Sequence, residues 1–275
     1  MARYPSLSST DSSPESHTDE PACPTCRDAG YLRYDVPPDH PNFGKLVACP
    51  ICGPTRQREY QARVAEQISR ECGLGDLQRH MTFETFEAYP GNEAVLEEST
   101  RFAREGIDAG AWLVIQGKET GTGKTHLLAA IANAAIARGV PTFYAYTTEL
   151  LDHLRAGYRR TDGDDGEEAA AGDFQERWNR IKSVRLLLVD DFGVEVHKPW
   201  VRERFEALFD ARLRDGLPTA VTTNLTGPDW LRLSDRIRDR FDRYEPAAVL
   251  EMRAMKYRFW KRQVLAPQAS AGVPF

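Results

Sequence analysis

Four of the five cysteines fall into two pairs near the start of the chain, Cys23 with Cys26 and Cys49 with Cys52. Each pair has the C-x-x-C spacing of a zinc knuckle, a tight turn that directs two sulfur atoms to one side. The 22 residues between the pairs (27–48) are enough for a hairpin that brings the two turns together. Because four thiolates close a tetrahedral site and leave no position for water, the spacing predicts a structural Zn²⁺. The alternative is two disulfides or four inert thiols, and a reducing cytosol disfavours the disulfides.

The stretch GKETGTGKTHLL contains a second group of residues suited to chemistry. Gly121 and Gly123 flank Thr122 and allow the backbone to turn its N–H groups inward, toward the positive end of the helix that follows. Lys124 and Thr125 open that helix. The spacing predicts that Lys124 contacts the β- and γ-phosphates of a nucleotide and that the Thr125 hydroxyl binds Mg²⁺.

This loop departs from the usual G-x-x-x-x-G-K-[ST] pattern, which has glycine where this chain has Lys118. Either Gly117 serves through a loop that is one residue longer, or Lys118 occupies the start of the turn. The position shapes the turn and supplies no charge to the phosphates. The alternative is an ordinary glycine-rich turn, which the apolar run before the loop and the helical pattern after it disfavour.

Two carboxylates and an amide follow later apolar stretches. Asp190 stands at the end of RLLLVDD, where its carboxylate can hold the Mg²⁺ shell near Thr125. Asp191 comes next, where an ATPase needs a base to orient water. Asn224 is the last residue of PTAVTTN, and an amide there can hydrogen-bond both the γ-phosphate and the attacking water. The alternatives are acids that merely cap a strand and an asparagine that serves a turn.

The stretch LSDRIRDRFDRY is dense in arginine: Arg236, Arg238, Arg240 and Arg243. These guanidinium groups are either a solvated helix face or the source of a cation that enters the nucleotide site of a neighbouring subunit. The second interpretation predicts a nucleotide-dependent homo-oligomer, in which that cation stabilises transition-state charge.

Apolar strands and amphipathic helices alternate from about residue 93 to residue 265. Five stretches are typical of strands: AWLVIQ, PTFYAY, RLLLVDD, PTAVTTN and AAVLEM. Continuous apolar strands spaced by helices predict a parallel sheet that is covered on both faces. The expected fold class is therefore α/β, a P-loop sheet flanked by helices, with a small N-terminal four-cysteine zinc-binding module.

The length of 275 residues leaves room for one sizeable core plus something small. We predict a disordered tail (1–20), a zinc module (21–54), a helical connector (55–79), a P-loop ATPase domain (80–265) and a C-terminal tail (266–275). The net charge of −5 argues against a protein that coats nucleic acid indiscriminately, so any DNA contact must be local. A polar N-terminus and the lack of a long apolar run predict a cytoplasmic protein that has no membrane partner.

Four stretches together resemble the DnaC/IstB-type AAA+ ATPases over about residues 80–262: GTGKTHLLAAIAN, LLLVDDFG, PTAVTTNLT and LSDRIRDRF. They are similar to the nucleotide loop, the Mg²⁺-binding strand, the sensor strand and the arginine-finger box of that family, and they occur in the same order. The resemblance implies ATP and Mg²⁺ as cofactors beside Zn²⁺. It also implies an oligomer. No separate helical lid domain is expected after AAVLEM, where only the short helix RAMKYRFWKRQ remains, and this shortness resembles the loader branch of the family.

The resemblance implies a role for each matching residue. Lys124 and Thr125 bind phosphate and Mg²⁺, and Asp190 belongs to the Mg²⁺ shell. Asp191 orients the water, and with Asp where many relatives have Glu, turnover is expected to be slow. Asn224 is the sensor. The other implied nucleotide-binding residues are Gly121, Thr122, Gly123 and His126. Arg236 is the first choice for the arginine finger, and Arg240 is the second. Phe83 or Phe86 would lie near the adenine, and the alternative is that these two rings pack in the core.

Three functions fit this pattern. A replicative helicase loader would bind single-stranded DNA and grip the helicase with its N-terminal module, and a zinc module resembles that of some loaders. A transposase helper of the IstB type would assemble on duplex DNA, although that type usually begins with a helical domain. A P-loop kinase would act within one subunit and would not need Asn224 or the arginine box.

A stretch near the end of the chain, RAMKYRFWKR, is a candidate for DNA contact. Lys256 and Lys261 alternate there with aromatic residues, so the lysines could pair with phosphates while the aromatic rings stack on bases. The alternative is a helix that buries those aromatic rings on the sheet.

Overall fold

The computed structural model describes residues 22–34, 36–151, 178–193, 198–227, 229, 235–242 and 247–265. The chain divides into two compact units between Val64 and Ala65. The predicted tails (1–20 and 266–275) lie outside the described residues, as does Arg243. Within the described ranges, no helix is both long and apolar enough to cross a membrane.

The first unit contains a short antiparallel hairpin, β1 (Tyr31–Arg33) and β2 (Leu46–Ala48), in which Leu32 pairs with Val47. Helix α1 (Gly53–Glu71) begins directly after Cys52. Cys23, Cys26 and Cys49 are buried, and Leu32 and the fourth paired cysteine, Cys52, pack against them.

The second unit is built on a five-stranded sheet: β3 (Trp112–Gln116), β4 (Thr142–Tyr146), β5 (Leu186–Asp190), β6 (Thr219–Thr223) and β7 (Ala247–Glu251). The strand order is β4-β5-β6-β3-β7, and every pair of neighbours is parallel. The five predicted strands and their parallel arrangement are thus confirmed. The carboxyl ends of these strands share one edge, where α/β proteins bind their ligands.

Helices accompany the sheet in the described part of the second unit, among them α2 (Asp76–Arg79), α3 (Glu93–Arg101), α4 (Lys124–Ala137), α5 (Pro199–Arg214), α6 (Asp235–Asp242) and α7 (Tyr257–Leu265). Residues 147–151 and 178–183 are also helical. A single π-helical turn (Phe102–Gly106) extends α3. Successive strand residues point to opposite faces, so Leu113 packs with α4 in one apolar cluster while Trp112 packs with α5 and α6 in another.

A buried arginine ties the amino ends of β5 and β6 to the preceding helical segment. Arg212 on α5 is fully buried. Its guanidinium donates to the Thr219 hydroxyl and to five main-chain carbonyls: Ile181, Lys182, Val184, Arg185 and Pro218. Because buried carbonyls need partners, this one side chain satisfies several loop groups at the edge of the sheet opposite the site.

Candidate functional site

The glycine-rich loop starts where β3 ends, at the buried Gly117. Its N–H donates to the carbonyl of Thr223 over 3.1 Å. A Cβ atom at this position would lie 2.8 Å from the carbonyl oxygen of Met252, whereas the neighbouring Lys118 is exposed. Of the two alternatives that the sequence leaves open, the geometry therefore favours Gly117 as the required glycine at the start of the loop.

The loop turns back on itself at two glycines. Gly121 and Gly123 have φ values of +71° and +104°, a region that other residues rarely adopt. At Gly123 a Cβ atom would also lie 2.7 Å from the ring of Phe86. Helix α4 then begins at Lys124, so the unpaired N–H groups and the positive dipole end of its first turn are available to an anion.

Lys124 is only 8% exposed, and its ammonium is held inside the loop. Its Nζ donates to the carbonyl oxygens of Gly117 over 2.8 Å and of Glu119 over 2.7 Å. Burial lowers the pKa of Lys124, and the nearby carboxylates of Asp191 and Asp190 oppose that shift. A fixed cation at a helix start is suited to phosphate oxygens.

The carboxylate of Asp190 is buried at the end of β5 and accepts hydrogen bonds from several directions. Tyr144 donates to Oδ2 over 2.7 Å. The hydroxyl of Thr125 donates to Oδ1 over 3.3 Å, the N–H of Asp191 donates to the same oxygen over 3.1 Å, and the Thr222 hydroxyl also donates to it. The predicted pairing of Asp190 with Thr125 is therefore present in the structure.

These oxygen donors fit Mg²⁺. Mg²⁺ in nucleotide sites takes one or two protein oxygens and completes its shell with phosphates and waters. The Thr125 hydroxyl and the Asp190 carboxylate are two such oxygens within hydrogen-bond distance of each other. When bound, the metal would neutralise charge on the β- and γ-phosphates.

Asp191 and Asn224 stand together beside this carboxylate. Asp191 has a left-handed backbone with φ +55°, and its N–H also donates to the Thr222 hydroxyl over 2.9 Å. The side-chain amide of Asn224 donates to Asp191 Oδ1 over 2.6 Å. The amide oxygen of Asn224 is buried and has no hydrogen-bond partner within the described ranges.

A cleft of about 870 Å³ opens over the loop, a size that suits a nucleotide-sized ligand. Phe86 lines this cleft and stands edge to face with His126, with 5.2 Å between ring centroids. The imidazole Nε2 of His126 lies 2.9 Å from the carbonyl oxygen of Thr82. Both Phe83 and Phe86 pack against the apolar core, but Phe83 is not among the cleft residues. The site residues that line the cleft are Gly121, Thr122, Gly123, Lys124, Thr125, His126, Asp190, Asp191 and Asn224.

The arginine box forms α6. Ile237 and Phe241 are its buried residues within the described part of the chain. Arg238 pairs with Asp235 of the same helix. Arg236 and Arg240 lie on α6, but their side chains are outside the described part of the structure, so the choice of finger stays a prediction.

Helix α7 forms part of the wall of the cleft. Trp260 stacks on Tyr89, with 4.8 Å between ring centroids, and the Tyr257 N–H donates to the Gly121 carbonyl over 2.9 Å. Lys261 pairs with Glu87 over 2.8 Å, and Lys256 lies 3.7 Å from a carboxylate oxygen of Glu119. For Tyr257 and Trp260 the geometry favours packing over the stacking of DNA bases. Phe259 is exposed, and Arg258 and Arg262 line the cleft.

The four paired cysteines of the first unit form a compact cluster. The sulfur atoms of Cys23, Cys26, Cys49 and Cys52 all lie within 4.8 Å of one another, and all four are free thiols. Backbone hydrogen bonding by Cys52 lowers the pKa of Cys49 to about 6, which favours the thiolate that binds metal. His40, in the segment between the two pairs, accepts a hydrogen bond from the Asn42 N–H and is not part of the cluster. The arrangement fits the predicted zinc module.

Sequence reasoning missed three residues that build the nucleotide site. Tyr144 and Thr222 both donate to Asp190, and the Tyr89 hydroxyl donates to the carbonyls of Thr122 and Met255 over 3.2 and 2.8 Å. The alternation of strand residues would place Tyr144 and Tyr146 on one face of β4. The sequence does not say that β5 lies beside β4 in the sheet, so this alternation does not predict a contact between Tyr144 and Asp190.

Comparison with known proteins gives consistent results. The family model described as "IstB-like ATP binding protein" matches residues 54–241. The replicative helicase loader DnaC of Escherichia coli (strain K12) is 23% identical over 186 residues, which are 67% of this chain and 72% of DnaC. A putative ATP-binding protein in an insertion sequence of Mycobacterium tuberculosis is 25% identical over 183 residues, 65% of this chain and 66% of that protein.

The fold is likewise that of solved structures. The crystal structure of the DnaC helicase loader matches with a TM-score of 0.53 at 20% identity and covers 65% of this chain and 99% of the other. The parallel five-stranded sheet with its flanking helices is thus the P-loop AAA+ fold that the motifs predict. The family match spans more than half of the chain and includes the loop, both acidic residues and β6, so this chain belongs to the family of IstB-like ATP binding proteins.

Proposed function

We propose that this protein is an ATP-dependent replicative helicase loader, which binds ATP with Mg²⁺, hydrolyses it slowly and acts on single-stranded DNA. The observation that carries the ATPase part is one cleft lined by Lys124, Thr125, Asp190, Asp191 and Asn224. A cation, a metal-binding pair, a base and an amide are the groups that phosphoryl transfer to water requires.

Asp191 and Asn224 support hydrolysis rather than nucleotide binding alone. The carboxylate of Asp191 accepts a hydrogen bond from the Asn224 amide, which orients it beside the Asp190 carboxylate. A carboxylate fixed in this way can accept a proton from water. We assign Asp191 as the base and Asn224 as the sensor.

The first unit supports a protein partner. We propose that its four cysteines bind a structural Zn²⁺. Several large apolar side chains of this unit are exposed, among them Tyr31, Phe43, Leu46 and Ile51 at 54–62%. Exposed apolar side chains concentrated in a small unit are typical of a surface that another protein covers. Together with the name of the DnaC relative, this favours the helicase as the partner.

A second candidate is an ATPase that helps a transposase on duplex DNA. The relative in a Mycobacterium tuberculosis insertion sequence favours it, at an identity close to that of DnaC. The cysteine cluster counts against it, because the transposase helpers of the IstB type usually begin with a helical domain and not with paired cysteines. The two functions differ in the DNA that should promote assembly.

The oligomer is part of the proposal. Arg236, or Arg240 as the second choice, would enter the nucleotide site of the next subunit and stabilise transition-state charge. An arginine that acts in this way is worth roughly 10³-fold or more in turnover. Arg236→Ala is therefore expected to abolish stimulated hydrolysis and to leave ATP binding unchanged.

The test measures ATP hydrolysis and oligomer size by light scattering, each with single-stranded DNA, with duplex DNA and without DNA. We expect single-stranded DNA to stimulate turnover and ATP to drive assembly. Asp191→Asn should lower turnover by roughly 100-fold or more while it keeps nucleotide affinity. Lys124→Ala should lose nucleotide binding. A pull-down with the replicative helicase then tests the partner.

Lys118→Ala is the matched control, because this exposed lysine belongs to the same loop and does not line the cleft. It should behave as the wild type in every assay. Assembly that prefers duplex DNA would favour the transposase helper. A monomer whose turnover responds to neither DNA would contradict both functions.

A further inference from the structure

Tyr144 donates a hydrogen bond to the carboxylate that holds the metal, although neither ATP binding nor hydrolysis as proposed above uses it. Its hydroxyl lies 2.7 Å from Asp190 Oδ2. The three other donors to this carboxylate, Thr125, Thr222 and the Asp191 N–H, all reach Oδ1. Among the described contacts, Tyr144 is therefore what fixes the second oxygen, and with it the rotation of the carboxylate plane.

The position of Tyr144 makes this contact rigid. The side chain is 1% exposed and packs in the apolar cluster that covers α4. A phenol carries its proton at neutral pH, so Tyr144 is the donor in this hydrogen bond. Tyr144 does not itself line the nucleotide cleft. Its one hydrogen bond to a site residue, among the described contacts, is to Asp190, and its ring also touches Tyr146 at the cleft wall.

The backbone of Tyr144 is held from outside the sheet. Its N–H donates to the carbonyl of Cys72 over 2.6 Å. A Cβ atom on Gly73, where φ is +84°, would lie 2.2 Å from the carbonyl oxygen of Tyr144. The segment after α1 thus lies against β4 as closely as a backbone can, and glycine is required for that approach.

We propose that Tyr144 is a positioning residue that sets the metal affinity of the nucleotide site by orienting Asp190, and that Cys72 and Gly73 hold Tyr144 in place for it. This inference rests on the proposed ATP and Mg²⁺ site. It adds a regulatory route within the second unit: movement of the segment that follows α1 would change the orientation of Asp190 through one phenol.

The test is a titration of Mg²⁺ followed by the binding of a fluorescent ATP analogue, with Mn²⁺ binding by EPR as a second readout. Partners behind a metal ligand typically change metal affinity by roughly 10- to 100-fold. Tyr144→Phe should raise the Mg²⁺ midpoint by roughly tenfold and leave analogue affinity in EDTA unchanged. Gly73→Ala should shift the midpoint in the same direction.

Thr142→Val is the matched control. Thr142 is a buried hydroxyl on the same strand, and it donates to the Val140 carbonyl rather than to Asp190. This change should alter thermal stability without moving the Mg²⁺ midpoint. A midpoint within twofold of the wild type in Tyr144→Phe, whatever its melting temperature, would overturn the proposal.

The outcomes separate this proposal from the proposed function. A wild-type protein that binds the analogue with Mg²⁺ but hydrolyses no ATP would contradict the ATPase, and the Mg²⁺ midpoint would still decide the role of Tyr144. A wild-type protein that hydrolyses ATP while Tyr144→Phe keeps a normal midpoint would overturn only the role of Tyr144. Binding that does not respond to Mg²⁺ at all would overturn both.

Discussion

The two units of this protein fold on different principles. In the first unit, the buried side chains within the described residues are thiols: Cys23, Cys26 and Cys49. Large apolar residues of the same unit, such as Phe43 and Leu46, are exposed. The second unit has two apolar clusters, one on each face of a five-stranded sheet. With the Zn²⁺ proposed above, a metal would take the place in the first unit that a hydrophobic core has in the second.

Because of this difference, the source of stability decides which apolar side chains each unit can leave on its surface. A unit that depends on a core must bury its apolar residues, because each buried side chain contributes about 1.5–3 kcal/mol. A unit that depends on a metal can leave them exposed, because structural zinc supplies about 10–16 kcal/mol of apparent binding energy. The exposed side chains are then available for a partner. The comparison holds only if metal, and not packing, stabilises the first unit.

Removal of zinc is the largest test of this comparison. A strong chelator, or Cys49→Ser, should abolish the fold of residues 22–64, with a loss of about 10–16 kcal/mol in metal-linked folding energy. Zinc content should fall from one ion per chain to none. NMR spectra of the backbone amides would show the loss directly, while the thermal transition of the second unit and its nucleotide binding should not change.

Cys72→Ala serves as the control for the cysteine change. Cys72 is buried in the apolar cluster of the second unit and is not part of the thiol cluster. It should leave the zinc content at one ion per chain and weaken only the second unit. A first unit that keeps its dispersed NMR spectrum after chelation would show that packing suffices, and the comparison would fail.

Replacement of Arg212 tests the other side, the dependence of the second unit on its buried interior. Arg212→Met keeps much of the volume but leaves buried carbonyls such as those of Val184 and Pro218 without a donor. Each unsatisfied group costs about 1–3 kcal/mol, so we expect a loss of about 3–5 kcal/mol. Urea unfolding of the second unit, at an unchanged m value, measures it.

The matched control is Arg214→Met, because Arg214 lies on the same helix with a side chain that is 74% exposed. Its effect should stay within about 0.5 kcal/mol. If Arg212→Met also lowered the free energy of unfolding by less than about 1 kcal/mol, water would have to hydrogen-bond the carbonyls in place of Arg212. The second unit would then depend less on its buried hydrogen bonds than we infer.

The sequence was sufficient wherever spacing within one stretch carries the chemistry. The cysteine pairs, the glycine-rich loop and the five strands were all predicted, because a turn, a helix start or a strand depends on neighbours in the chain. Apart from pairs of motif residues such as Thr125 with Asp190, contacts between distant stretches were not predicted. Tyr144 reaches Asp190 across 46 positions, and Tyr89 reaches Met255 across 166. Such pairs depend on the strand order, which no local pattern encodes.

The smallest and sharpest test compares two leucines on adjacent strands of the first unit. Leu46 on β2 is 62% exposed, whereas Leu32 on β1 packs against the buried thiols. Leu46→Ala should change zinc affinity, measured by competition with a chelator, by less than about 0.5 kcal/mol. Leu32→Ala should cost about 1–2 kcal/mol, because its methyl groups shield the sulfur atoms. Equal costs would mean that the hairpin has an apolar core of its own. If Leu46→Ala then weakened helicase capture without weakening zinc binding, the exposed side chains would serve the partner rather than the fold.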